Sequence, residues 1–143
     1  MDDYVLTSLQ WTSVLELGHA AIDEQHRRLL LLGEDLTEST INLAANELTE
    51  KRLQALNDFT EEHFAFEEDL MRSTGYPGVA EHANFHGALL AQLSAFSVRM
   101  RHGTHTDPVG LHSFFSHWII PHIRTEDRDL VIWLKSHEPD GGG

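Results

Sequence analysis

The sequence contains no cysteine. That absence removes disulfides, thiolate zinc sites, iron–sulfur clusters and cysteine nucleophiles together, and it suits a reducing compartment. Basic residues are scarce: ten Lys and Arg against 23 Asp and Glu leave a formal charge of −13. Such a surface repels phosphate backbones and anionic headgroups, so neither nucleic acid nor a membrane surface is expected as a partner. The same charge favours a soluble monomer. Apolar runs such as Leu29 to Leu32 are far short of the ~20 residues that span a bilayer. The acidic start Met1-Asp2-Asp3-Tyr4 lacks the basic and apolar regions of a secretion signal. A cytoplasmic location is the expectation. Strand-like alternation and β-branched residues are also sparse, which argues against a β-sheet fold.

What the chain does have is length for one domain, 143 residues with 41% hydrophobic and 23% charged, enough to bury a core without a structural metal or disulfide. Apolar positions recur at spacings of three and four, broken at Ser39 to Asn46, Ser73 to Gly78, and 102–108. The spacing predicts helices over about Ala20–Glu38, Glu47–Arg72, Val79–Arg101 and Val109–Ser136. Four such rods joined by short loops predict an all-α fold, an up-down-up-down antiparallel four-helix bundle. Residues 1–18 are expected to form an N-terminal arm anchored by Trp11 along the outside, 19–137 the bundle, and 138–143 a disordered tail.

Histidine is abundant, with eleven residues in the chain. Each predicted core stripe carries at least one where leucine would be expected: His26 on the first helix, His63 with Glu67 on the second, His82 and His86 on the third, His122 on the fourth, with Asp127 five residues on. The i, i+4 pairs share one helix face. Five imidazoles and two carboxylates in one core are very unfavourable unless something satisfies them. A pair of metal ions does so. Five histidines and two bridging carboxylates supply nine ligand atoms, a bridging oxo or hydroxo brings eleven, and two six-coordinate ions need twelve. The place left open suits a small diatomic ligand, and mixed imidazole and carboxylate donors favour iron over magnesium or calcium. The spacing from His122 to Asp127 is awkward, because five residues of a regular α-helix rotate by ~140°. Pro121 lacks the backbone donor, so a kink or widened turn there is expected to swing Asp127 inward.

The stretches Ile22-Asp23-Glu24-Gln25-His26, His63-Phe64-Ala65-Phe66-Glu67-Glu68, Gly75-Tyr76-Pro77, His82-Ala83-Asn84-Phe85-His86 and Trp118 to Asp127 together resemble the hemerythrin family in its single-domain bacterial form. The resemblance spans residues 11 to about 134 and departs from the family pattern at Pro121, where a small polar residue is expected, and at His19. It implies a non-haem di-iron site: His82, His86 and His122 on one iron, His26 and His63 on the other, Glu67 and Asp127 bridging both. It further implies a bridging oxo or hydroxo group, and reversible binding of dioxygen as a hydroperoxide at the iron with the free place. Leu29, Phe64, Trp118, Ile119 and Ile123 match positions that line a dry oxygen pocket. Dioxygen is the implied ligand, with an oxygen-consuming or signalling protein as macromolecular partner.

Rival readings fit less well. A ferritin-like oxidase needs Glu-x-x-His motifs on two helices, and a zinc hydrolase needs a general base that the sequence does not offer. An oxygen or redox sensor, or an iron-handling or peroxide-scavenging protein, would use the same site; a free-standing chain with no attached output domain is the expectation, and with it oxygen storage, delivery or buffering without enzymatic turnover. His19, His102, His105, His112, His117 and His137 are expected on loops or outer faces, His19 near the site, with His112 and His117 candidates for an access path. Phe85, Phe96 and Trp133 are expected as core filler. The acidic run Glu61-Glu62 and Glu67-Glu68-Asp69 is expected to be solvated except at Glu67.

Overall fold

The computed structural model describes residues 11–41, 47–102 and 108–137; the expected tail and the first ten residues of the arm lie outside them. The described residues form four rods and no strand. Helices α1 (Ala20–Ile41), α2 (Glu47–Thr74) and α3 (Val79–His102) are regular. The fourth, α4, spans residues 108–137 and is continuous but not uniform. Its α-helical pieces Pro108–Phe114, Ile120–His122 and Arg128–His137 are separated by two π-helical turns, Phe115–Ile119 and Ile123–Asp127. α2 packs between α1 and α3, and α4 closes the ring against α1. The expected bundle is therefore present, with helix ends within three residues of those read from spacing.

The helix ends have local causes. His19 stands just before α1, and its ring Nδ1 accepts from the Ile22 backbone N–H at 3.3 Å. The buried Asp23 carboxylate reaches back to accept from the N–H groups of Leu17 and Gly18 at 2.9 and 3.0 Å. His19 satisfies a donor of the first helical turn, while Asp23 ties the preceding segment to the helix and places a negative charge at its positive end. His19 thus serves as a cap rather than as part of the histidine cluster. At the far end of α2, the Thr74 hydroxyl donates to the Leu70 carbonyl at 2.7 Å, carrying the helix two residues beyond the expected Arg72. Gly75 then adopts φ 78°, and the Tyr76 N–H bonds the Met71 carbonyl at 2.9 Å, a left-handed glycine cap. The arm follows expectation at Trp11, which lies half-buried beneath the Arg27 guanidinium, 4.9 Å from its ring centre. Leu15 goes further and enters the core.

The apolar interior is divided into two clusters. One contains Leu29, Leu30, Leu36, Leu53, Phe64, Leu89, Phe115 and Ile123 among others; the second contains Ile22, Met71, Leu130, Val131 and Leu134. Along each helix the polar core residues lie between these clusters: His26 between Ile22 and Leu29, His63 and Glu67 between Leu56 and Met71, Asp127 between Ile123 and Leu130. A polar layer crossing a bundle core is costly unless its members satisfy one another or a ligand. Hydrophobic burial on both sides, at roughly 25 cal/mol per Å² of apolar surface, must carry that layer.

Two glycines test the packing in opposite directions. A Cβ added at Gly33 of α1 would lie 2.4 Å from the Phe115 ring, whereas one added at Gly87 of α3 meets nothing within 4 Å. Alanine gains about 1 kcal/mol over glycine in a helix interior, but overpacking a core costs about 1–3 kcal/mol. Denaturant melts are expected to show Gly33→Ala destabilised by about 1 kcal/mol and Gly87→Ala stabilised by about 0.5–1 kcal/mol.

Candidate metal centre

All seven side chains expected at the site converge in the polar layer. His26, His63, Glu67, His82, His86, His122 and Asp127 are buried, the most exposed at 3%. They form two donor groups, each with ligand atoms within 4.8 Å of one another: His82, His86 and His122 with both carboxylates, and His26 and His63 with the same two. The carboxylates face both groups, one oxygen to each side. Glu67 Oε1 lies 3.1 Å from His86 Nε2 and 3.5 Å from His82 Nε2, while Oε2 lies 3.3 Å from His63 Nε2 and 3.6 Å from His26 Nε2. Asp127 Oδ1 lies 2.9 Å from His82 Nε2 and 3.1 Å from His122 Nε2, while Oδ2 lies 2.9 Å from His26 Nε2.

The widened turn in α4 makes this possible. Over Ile123–Asp127 the backbone follows i to i+5 spacing, so five residues advance about one turn and Asp127 comes to face the same way as His122. The Thr125 hydroxyl donates to the Pro121 carbonyl at 2.7 Å, satisfying an acceptor beside the wide turn. The expectation of a locally altered helix at Pro121 therefore holds. The other π turn, Phe115–Ile119, had no counterpart in the sequence reading, and one assignment within it is corrected. Ile119, not Trp118, lies in line with Phe115 and Ile123, at successive spacings of four residues that share one helix face. Trp118 is 44% exposed, on the outer side beside Gln92, Phe96 and Arg99, and does not line the interior. Leu29, Phe64, Ile119 and Ile123 are buried in the larger apolar cluster. Phe64 stacks face to face on His86, ring centres 3.9 Å apart, and lies 5.7 Å from the His63 ring.

Three histidines are oriented by partners that the sequence reading missed. His63 Nδ1 lies 2.6 Å from Gln25 Oε1, His86 Nδ1 lies 2.9 Å from Glu68 Oε2, and His122 Nδ1 lies 3.0 Å from Glu126 Oε1. Carboxylate and amide oxygens only accept, so each Nδ1 carries the proton and each Nε2 turns its lone pair inward. Glu68 is therefore not a solvated member of the acidic run. One signal was available: Glu126 follows His122 by four residues, on one helix face. Gln25 and Glu68 act on histidines of other helices, which spacing cannot reveal. Phe85, expected as core filler, is 39% exposed and stacks over His122, ring centres 5.3 Å apart. Phe96 is buried and Trp133 packs on the smaller cluster as expected. His112 and His117 bond to Ser116 and Ser113 on their own helix, and His137 stacks on Trp133.

The charges of the layer are tightly coupled. Burial by itself would push the His26 and His82 imidazoles down, but the close Asp127 and Glu67 carboxylates outweigh it and raise both to about 9. His122 is raised too, against its burial, chiefly by Asp127. Burial pushes Glu67 and Asp127 up, and Glu67 also raises Asp127. The surrounding histidines win at both: His63 and His26 hold Glu67 well below its ordinary value, and His122 and His26 depress Asp127.

Even so, the cluster does not satisfy itself. Both oxygens of Glu67, Asp127 Oδ2, and the Nε2 atoms of His26, His86 and His122 are buried with no hydrogen-bond partner. Unmade bonds of this kind cost about 1–3 kcal/mol each. A metal ion fits the gaps. Adjacent ligands about 2.1 Å from one ion at right angles stand about 3 Å apart, close to the separations between these donors.

An all-helical bundle whose core layer is a histidine- and carboxylate-rich metal site is the class that fold and cluster define. Residues 17–134 match the family described as the hemerythrin HHE cation binding domain, and the chain belongs to the hemerythrin family. A bacteriohemerythrin of Stenotrophomonas maltophilia is 30% identical over 129 residues, covering 90% of this chain and 83% of the relative. One from Pseudomonas paraeruginosa is 33% identical over 131 residues, covering 88% and 81%. The myohemerythrin of Sipunculus nudus is 23% identical over 117 residues, covering 82% and 86%. Among the described residues no helix is long and apolar enough to cross a membrane.

Metal-free protein should show a specific pH dependence. His26 and His82 rise from 6.5 to about 9 on folding, so their stabilisation is complete below pH 6.5 and is lost as pH rises through about 9. Glu67 and Asp127 are depressed from 4.5 and 3.8, so theirs is present above those values and is lost on deeper acidification. The melting temperature without metal should therefore fall from about pH 6.5 towards pH 9. Metal loading should cancel that fall and release about two protons per chain at pH 7. A melting temperature that stays level or climbs over that interval contradicts the charge arrangement.

Proposed function

We propose that this protein binds dioxygen reversibly at a pair of iron ions, for oxygen storage, delivery or buffering. The observation that carries the reading is the division of donors: three histidines on one side, two on the other, with each carboxylate turning a different oxygen to each group. His82, His86 and His122 would hold one iron, His26 and His63 the second, and Glu67 and Asp127 would supply an oxygen to each, with an oxo or hydroxo group expected to complete the pair. The two-histidine side has one protein donor fewer, so an iron held there would have room for a small ligand. Reduced iron supplies the electrons with which dioxygen is taken up.

The remaining residues control what surrounds that chemistry. Gln25, Glu68 and Glu126 keep Nδ1 of their histidines protonated and Nε2 directed inward, fixing the donors before metal arrives. Leu29, Phe64, Ile119 and Ile123 exclude water from the buried layer, which protects a reversible ligand from protons that would drive its loss. Five imidazoles against two carboxylates provide little of the negative charge that oxidising iron chemistry draws on, and this favours a carrier over an oxidase. The bacteriohemerythrin relatives support the same reading.

The test is to load iron, reduce the protein, and record visible spectra through cycles of oxygen and vacuum. Two irons per chain and an absorption that appears in air and disappears under vacuum are the expected result; a single ion, or a change that occurs once and never reverses, refutes it. Glu67→Ala should lose paired iron while far-ultraviolet circular dichroism stays helical. Trp118→Phe, at an exposed position, should change the oxygen release rate less than twofold, whereas Ile123→Ala should speed irreversible oxidation severalfold by admitting water.

A further inference from the structure

A cleft of about 270 Å³ opens on the surface beside the three-histidine group, lined by Tyr76, Gly78, Glu81, His82, Phe85, Glu126 and Asp129. Three carboxylates border it and no lysine or arginine does. Glu81 and Asp129 are exposed, and neither joins an ion pair among the described residues. Its electrostatic character is visible at Tyr76, whose phenol is pushed up by its burial and then by the charges of Asp129, Glu81, Asp127 and Glu126.

A cluster of carboxylates alone would be unremarkable on so acidic a surface. What distinguishes this one is its inner wall. His82 is only 3% exposed, yet it is the one residue of the seven donors that lines the cleft. Its Nε2 faces Asp127 and Glu67. The ring nitrogens turned away from the carboxylates in His63, His86 and His122 are held by Gln25, Glu68 and Glu126. The corresponding Nδ1 atoms of His26 and His82 have no protein partner among the described residues, and of these two histidines only His82 lines the cleft. Two other surface hollows differ. One, between α3 and α4, contains Arg99 and no carboxylate. The other, between α2 and α3, contains Asp58 and Glu61 but none of the seven donors.

We propose that this cleft is the port through which divalent metal ions reach the buried centre, with Glu81 and Asp129 drawing them in and His82 the first ligand they meet. The inference rests on the metal reading of the seven donors. The carboxylates of the cleft are not close enough to hold an ion themselves: the donor groups found among the described residues are the two in the core. The cleft therefore concentrates ions in transit, as a charged funnel with low-dielectric walls does, and adds no third bound ion. Glu126 has a second task, since it also holds His122.

Stopped-flow uptake of cobalt(II) by the metal-free full-length chain tests this, because cobalt absorbs visibly once bound and needs no oxygen. The double variant Glu81→Gln, Asp129→Asn should load about three- to tenfold more slowly at low ionic strength. Both proteins should reach two ions per chain, and the difference should shrink as salt screens the cleft. Asp129→Lys alone should load more slowly than Asp129→Asn. The control Asp58→Asn, Glu61→Gln removes the same charge from the other hollow and should load at the wild-type rate. Equal slowing in both double variants would mean that only net charge matters, and an unchanged rate in the first would mean that ions enter elsewhere; either overturns the port. Fewer than two ions in the wild-type chain overturns the centre itself, which is read from the end point and not from the rate.

Discussion

Two carboxylates lie side by side in the middle of a helical bundle, and the rest of the molecule is arranged around keeping them there. Glu67 and Asp127 are fully buried, where an isolated charge is prohibitively costly. Five imidazoles surround them with contacts of 2.9–3.6 Å. The balance is incomplete without a further cation, since both oxygens of Glu67 and one of Asp127 lack hydrogen bonds. Apolar clusters above and below hold the layer against its own cost. The same incompleteness makes it a binding site: a cluster that satisfied itself would have nothing to offer a metal.

The donors are held by partners that come from three of the four helices. Gln25 of α1 orients His63 of α2, Glu68 of α2 orients His86 of α3, and Glu126 orients His122 within α4. Several of these partners adjoin a donor in sequence, as Gln25 does His26, Glu68 does Glu67 and Glu126 does Asp127. Neighbouring residues on a helix point about 100° apart, so one faces the centre while the next reaches a ring beside it. Aromatic rings complete the frame, with Phe64 against His86 and Phe85 over His122. The two faces of the centre differ accordingly: apolar residues pack near one, and an acidic cleft approaches the other at His82. Small neutral ligands and hydrated cations have opposite needs, and separate approaches would serve both.

Most of the architecture was legible without coordinates. Histidines at positions 26, 63, 82, 86 and 122 interrupt stripes of apolar residues, and imidazoles do not occupy such positions without a common partner. The four rods follow from three-and-four spacing and from breakers such as Gly75, whose φ of 78° is the conformation that ends α2. The misses have other origins: Gln25 and Glu68 act on histidines of neighbouring helices, which spacing cannot reveal, and Trp118 was placed by its match to the family pattern but is turned outward here. Periodicity assumes a uniform 3.6 residues per turn, and α4 departs from it twice. Pro121 and the five-residue step to Asp127 flagged the second departure; nothing comparable marked the first.

The sequence by itself determined the helices, the donor set and its need for metal, because helical periodicity and the cost of burying polar groups are local or compositional facts. The resemblance already implied the division of the donors three against two, but only the tertiary structure decided which oxygen of each carboxylate faces which group. The same holds for the partners of the outward ring nitrogens and for the histidine that meets the solvent cleft. Those relations join atoms on different rods, and they depend on the rotation of each helix about its axis. Two wide turns in α4 reset that rotation, and their effect is visible only when all four helices are packed together.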